Sequence, residues 1–200
     1  MDDVDANDAQ KLHGEINQLI NQQFLITLSA LTLFGVMNAW EILGVHSLYN
    51  DSPIDTFPDF YIFLPVCCLM LLMILVLWLN HLVTINLRLA VYLVVNNLSR
   101  WEKQIDMFQS SHNFKFSQRN SMLWVFLVLG IISFCSPVFL AEEYLLELCS
   151  THKWFLGGAS FLYCAAIITI MTNNLDSERN KIKLQWIKLK SAQDESNRHD

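Results

Sequence analysis

The sequence predicts an all-α integral membrane protein with four transmembrane helices, helical cytoplasmic extensions and both termini in the cytoplasm. Three observations predict it. Of the 200 residues, 53% are apolar and only 16% charged, with a mean hydropathy of +0.32, more apolar and less charged than an ordinary soluble domain. Four stretches carry no Asp, Glu, Lys or Arg: 25 residues from Ile16 to Trp40, 28 from Phe60 to Leu87, 22 from Asn120 to Ala141 and 22 from Trp154 to Leu175. Each reaches the roughly 20 residues that cross about 30 Å of hydrocarbon as a helix, whereas a soluble core helix rarely exceeds about 14 without a charge. The third observation is where the basic residues fall. Together the three exclude a soluble enzyme, a secreted disulfide scaffold and a basic nucleic-acid binder.

Lys and Arg set orientation, because acidic residues count for little in that rule. The N-terminal segment has one (Lys11), the 86–119 connection five (Arg88, Arg100, Lys103, Lys115, Arg119) and the tail six (Arg179, Lys181, Lys183, Lys188, Lys190, Arg198), against Lys153 alone in the 42–59 and 142–153 loops. Twelve against one makes the chain N-in and C-in. The cytoplasmic parts then balance 12 basic with 12 acidic residues, so the formal net charge of −6 lies entirely outside, on Glu41, Asp51, Asp55, Asp59, Glu142, Glu143 and Glu147. An acidic rim concentrates cations at a pore mouth; acidic residues are also tolerated on a translocated side at no topological cost.

The elements follow in order within a single membrane domain, 1–200. Residues 1–23 open with Asp2, Asp3, Asp5 and Asp8 instead of a basic region, so the first span is expected to stay in the mature chain. Leu12, Ile16, Leu19 and Ile20 make an amphipathic face leading into Phe24. Span 1 covers 24–43. The outer loop that follows reads as turns, with Pro58 where a helix start tolerates proline. Span 2 covers 60–85, and its pattern continues as an 86–119 helical extension through Leu93, Leu98, Trp101, Ile105 and Phe108. A helix from Phe60 to Phe108 has 49 residues, about 73 Å at 1.5 Å per residue, which overruns the membrane. Span 3 covers 120–141, with a small seam at Gly130, Ser133 and Ser136 and a bend expected at Pro137. Span 4 covers 154–174, where Gly157, Gly158 and Ala159 permit close helix contact. The 175–200 helix and tail carry two apolar stripes, Ile182, Trp186 and Leu189 on one and Leu184 and Ile187 on the other. A helix with two stripes needs two neighbours.

Polar residues inside the spans are few, and they are the candidates for a pore or gate: Asn38 and Glu41 near the outer end of span 1, and Asn80, His81 and Thr84 near the inner end of span 2. Asn80 and Thr84 share a face from which they can bond to a neighbouring helix, and a histidine titrates near neutrality. Interfacial placement is nonetheless the favoured reading of Asn38 and Glu41, and a structural or interfacial role that of His81. Leu93, Leu98, Trp101, Ile105 and Trp186 form the candidate interaction surface, and Lys181, Lys183, Lys188 and Lys190 the candidate lipid contacts. Trp40, Trp78, Trp101, Trp124, Trp154 and Tyr163 supply anchors at the membrane interfaces.

No catalytic constellation, cofactor site or metal site emerges. Cys67, Cys68, Cys135 and Cys164 fall within spans as apolar fillers, Cys149 faces the outside, and no Cys-x-x-Cys pair offers zinc a site. Without a cytoplasmic basic excess, direct binding to nucleic acid is not expected.

Two segments carry a resemblance: Ile16-Asn17-Gln18-Leu19-Ile20-Asn21-Gln22-Gln23-Phe24 at the first span, and Arg88-Leu89-Ala90-Val91-Tyr92-Leu93 followed by Trp101-Glu102-Lys103. These resemble small four-span bacterial inner-membrane proteins of unassigned activity, some of which accompany antiviral defence genes as accessory or effector subunits. The resemblance implies a membrane partner or membrane-disrupting effector with cytoplasmic helices as its input surface, and it assigns no residue a role. The expectation is therefore a non-enzymatic homo-oligomer that conducts or relays a cytoplasmic signal. Its rivals are a scaffold recruiting a cytoplasmic enzyme or RNA-guided complex and, third, a small transporter. Membrane lipids, a second copy and a cytoplasmic protein are the partners.

Overall fold

A computed structural model describes residues 3–51, 60–96, 98, 118–140, 150–173 and 175–196. Among these the architecture is all-helical, without strands: α1 (Asp3–Asp51), α2 (Phe60–Val95), α3 (Gln118–Leu140), α4 (Ser150–Thr172) and α5 (Leu175–Ser196). Three stretches are long and apolar enough to cross a membrane: Gln10–Trp40 in α1 with 31 residues, Phe63–Val95 in α2 with 33 and Trp154–Thr172 in α4 with 19. In α3 the apolar run among described side chains, Arg119–Cys135, is shorter, although the helix itself has 23 residues and continues through Pro137. These apolar helices are compatible with insertion into a membrane.

The chain folds as two compact units, Leu25–Leu79 with Gln118–Thr172, and Met1–Phe24 with Asn80–Ser117 and Asn173–Asp200. The first holds the larger core. Its helices are apolar on all sides, so spacing rather than polarity marks the inner face. Cys68, Leu69, Leu72, Val76 and Leu79 on α2, Leu123, Phe126 and Leu129 on α3, and Ala159, Tyr163, Ile167 and Ile170 on α4 are buried, joined by Ala30 of α1. Steps of three and four residues keep each set on one side of its helix. The opposite sides expose Leu28, Ile74, Val128, Ile131, Phe161 and Ile168. A helix apolar all round belongs in a protein core or a bilayer.

In the second unit, Ile16, Leu82, Val91 and Leu93 are buried. The amphipathic face of α1 forms as expected on Leu12, Ile16, Leu19 and Ile20, but it runs on to the buried Gln23, while Phe24 is exposed. The helical period explains this: seven residues after Ile16 brings the chain back almost to the same side, and an eighth carries it about 100° further. Helix α2 continues past Leu87 as expected, but it ends at Val95 and not at Phe108. The Leu98 N–H donates to the Leu93 carbonyl at 3.0 Å, the six-to-one closure that ends many helices. Asn96 closes the last turn: its backbone N–H makes the ordinary helical bond to the Tyr92 carbonyl at 3.1 Å, and its side-chain Nδ2 donates to the same oxygen at 3.1 Å. In α5, Asp176 and Glu178 occupy the first turn, where carboxylates oppose the positive end of the helix dipole.

Candidate functional site

The pore and gate candidates keep their hydrogen bonds within their own helices. Asn38 Nδ2 donates to the Phe34 carbonyl at 2.8 Å. The Thr84 hydroxyl donates to the Asn80 carbonyl at 2.9 Å, a contact inside α2. Thr32, Ser160 and Thr169 do the same to Leu28, Leu156 and Ala165. A hydroxyl bonded back to the carbonyl four residues earlier costs little where no water is available. His81 is exposed and Asn80 half-buried. Glu41 lies within α1, and its side chain is outside the described ones.

Two polar contacts link helices in the larger unit. Tyr163 of α4 donates its hydroxyl to the backbone carbonyl of Phe126 on α3. Its ring rests on Gly130, where an added Cβ would come within 2.8 Å of Tyr163 Cδ1 and Cζ. The missing side chain is what admits the ring. One turn further along α3, Ser133 Oγ stands 3.4 Å from Cys68 Sγ of α2. Tyr163 is only 2% exposed, so it is a core residue and not the interfacial anchor expected of it. Cys68 is more than a filler, because its thiol faces a hydroxyl; Cys67 is exposed, and Cys135 and Cys164 are half-buried. Gly157 and Gly158 have open space where a Cβ would stand, so the small seam on α4 reduces to Ala159, which is buried. The signal for Tyr163 was its depth. It sits mid-way along a charge-free stretch, where a phenol needs an internal partner. Trp40, Trp78, Trp124 and Trp154 are exposed.

The interaction-surface candidates gather in the other unit. Leu93 is fully buried and Leu98 half-buried, while Trp101 and Ile105 lie outside the described residues. Trp186 of α5 meets Tyr92 of α2 edge-to-face, with ring centroids 4.9 Å apart and planes at 67°. The sequence alone assigns Tyr92 no role; its position one residue before Leu93, on a helix overrunning its span, is the available clue. This contact occupies one side of α5. The other stripe, Leu184 and Ile187, is exposed, as is Leu189.

The four α5 lysines divide between these two sides. Lys181 and Lys188 bracket Leu184 at helical spacings of three and four, and both are exposed; Lys183 and Lys190 bracket Trp186 in the same way, with Lys183 half-buried. Among the described residues, no three His, Cys, Asp or Glu side chains are grouped to hold a metal ion. Comparison with protein-family models, with characterised proteins and with solved structures finds no match.

Proposed function

We propose that this chain is a non-enzymatic integral membrane protein that self-associates and serves as a membrane-perturbing effector or accessory subunit responding to a cytoplasmic signal. In this reading α3 completes a set of four spans, and both termini and the 86–119 connection are cytoplasmic, as the twelve-to-one distribution of basic residues requires. Placement in a bacterial inner membrane, and a role in antiviral defence, rest on the resemblance of the 16–24 and 88–103 segments.

The observation that carries the proposal is the apolar exterior of the larger unit. Leu28 and Trp40 on α1, Ile74 and Trp78 on α2, Val128 and Ile131 on α3, and Phe161 and Ile168 on α4 are all exposed. Covering each such side chain is worth about 1.5–3 kcal/mol relative to water, so lipid or further subunits must surround this surface. Input from the cytoplasm is assigned to the unit in which Trp186 packs on Tyr92, because it carries most of the charge.

The second reading is a scaffold that recruits a cytoplasmic enzyme or RNA-guided complex without conducting. Asn38 and Thr84 favour it, since their hydrogen bonds return to their own helices instead of lining a path. Ion flux through purified protein in liposomes separates the two. Sustained flux supports the effector, and repeated absence of flux, with and without the partner, leaves the scaffold.

A further inference from the structure

We infer that the open side of α5 docks on an anionic lipid surface, with Lys181 and Lys188 on headgroup phosphates and Leu184 and Ile187 in the apolar layer beneath them. Leu184 is 60% exposed and Ile187 47%, a density of unsheltered aliphatic side chains that a helix in water does not favour. They lie away from the side occupied by Trp186, which is engaged with Tyr92. The face is therefore left over after internal packing.

Charge selects the occupant. From Arg179 to Lys190 the helix carries five basic residues, Arg179, Lys181, Lys183, Lys188 and Lys190, and no acidic one. A second copy of the chain is a poor fit, because parallel pairing sets Lys181 beside Lys181, and antiparallel pairing about Leu184 and Ile187 still lays one basic stretch on the other. Like charges juxtaposed across an interface are unfavourable. A negatively charged surface meets both demands at once: the phosphates take the ammonium groups while the aliphatic side chains and lysine stems enter the interface. Such a surface is also always at hand. Only Asn173 and Asn174 separate the end of α4 at Thr172 from the start of α5 at Leu175, so a bilayer holding α4 tethers α5 at high effective concentration.

The inference rests on the reading that α4 is embedded in a bilayer. The full-length protein is placed in nanodiscs of phosphatidylcholine alone or of phosphatidylcholine with phosphatidylglycerol, carrying Leu184→p-benzoylphenylalanine as a photocrosslinker. Lipid adducts at position 184 should be abundant in the anionic discs, and Lys181→Glu with Lys188→Glu should reduce them about tenfold. Hydrogen exchange of wild-type α5 provides a readout independent of the probe, and protection should rise with phosphatidylglycerol and fall with added salt. Equal adducts and equal exchange in both discs would overturn the inference, as would a crosslinked dimer in place of the lipid adduct. Failure of the protein to resist alkaline extraction from membranes would instead strike the reading on which it rests.

Discussion

Tyr163 and Gly130 occupy space that only one of them can fill: the phenol ring lies where a Cβ on residue 130 would stand. Gly130→Ala should therefore force α3 and α4 apart, costing about 1–3 kcal/mol, the usual range for overpacking. Tyr163→Phe keeps the ring and removes only the bond to the Phe126 carbonyl, for a loss of about 0.6–1.5 kcal/mol. Gly158→Ala is the control, since its site is open; stability there should hold or improve by up to about 1 kcal/mol from helix propensity. Unfolding in mild detergent measures all three. Equal effects at residues 130 and 158 would show that the ring does not depend on the missing side chain.

A double-mutant cycle on Tyr92 and Trp186 should return a coupling of about 0.5–1.5 kcal/mol, the value for an edge-to-face pair beyond its area burial. The variants are Tyr92→Leu, Trp186→Leu and both together. Additive losses would mean that each ring is buried against something other than its partner.

Topology follows from the basic residues. Reporters fused at Met1 and at Asp200 should both register as cytoplasmic, and an impermeant thiol reagent applied from outside should reach Cys149. An external C-terminus would overturn the four-span reading.

Self-association should appear as an oligomer by native mass spectrometry in mild detergent. Truncation after Asn174 removes α5 and with it the packing of Trp186 on Tyr92; it should weaken the oligomer through that loss and not through the lipid-facing Leu184 and Ile187. Trp101→Ala should leave insertion intact, because that depends on the charge-free spans, while reducing oligomer stability or partner binding. A monomer before any truncation would remove the basis for subunit packing, and loss of insertion on changing Trp101 would place that residue inside the membrane.

Helix identity was readable because charge is expensive in hydrocarbon: the charge-free stretches locate α3 and α4 within a few residues, while α1 and α2 run well past theirs. Which sides of those helices meet was not readable. In water, polar residues mark the outer face; here Leu72, fully buried, and Ile74, exposed, are chemically alike, so composition along α2 carries no direction. The same ambiguity left the two small-residue seams, on α3 and on α4, undistinguished. A glycine states that close approach is permitted without naming the visitor, and Gly130 had one where Gly157 and Gly158 did not. The end of α2 was missed for a different reason. Apolar spacing persists beyond Leu93, but the Asn96 side chain closes the last turn on the Tyr92 carbonyl, a contact that the periodicity takes no account of. The stripes of α5, where polar and apolar residues alternate in contrast, were legible in part: Trp186 packs on Tyr92, while Leu189, read on the same stripe, is exposed with Leu184 and Ile187.

The way the span residues spend their hydrogen bonds also divides the larger unit mechanically. Thr32 and Asn38 bond along α1 itself, so these bonds travel with the helix when it turns about its axis. Tyr163 and Phe126, by contrast, bolt α4 to α3, and Ser133 with Cys68 ties α3 to α2. Twisting any of those three against another breaks a polar contact in a medium that offers no substitute. At Ala30, Phe34 and Met37, α1 joins the core through dispersion between apolar surfaces. The unit thus keys α4 to α3 and α3 to α2 through polar contacts set among apolar side chains, so a displacement of any one of these helices is felt by the next.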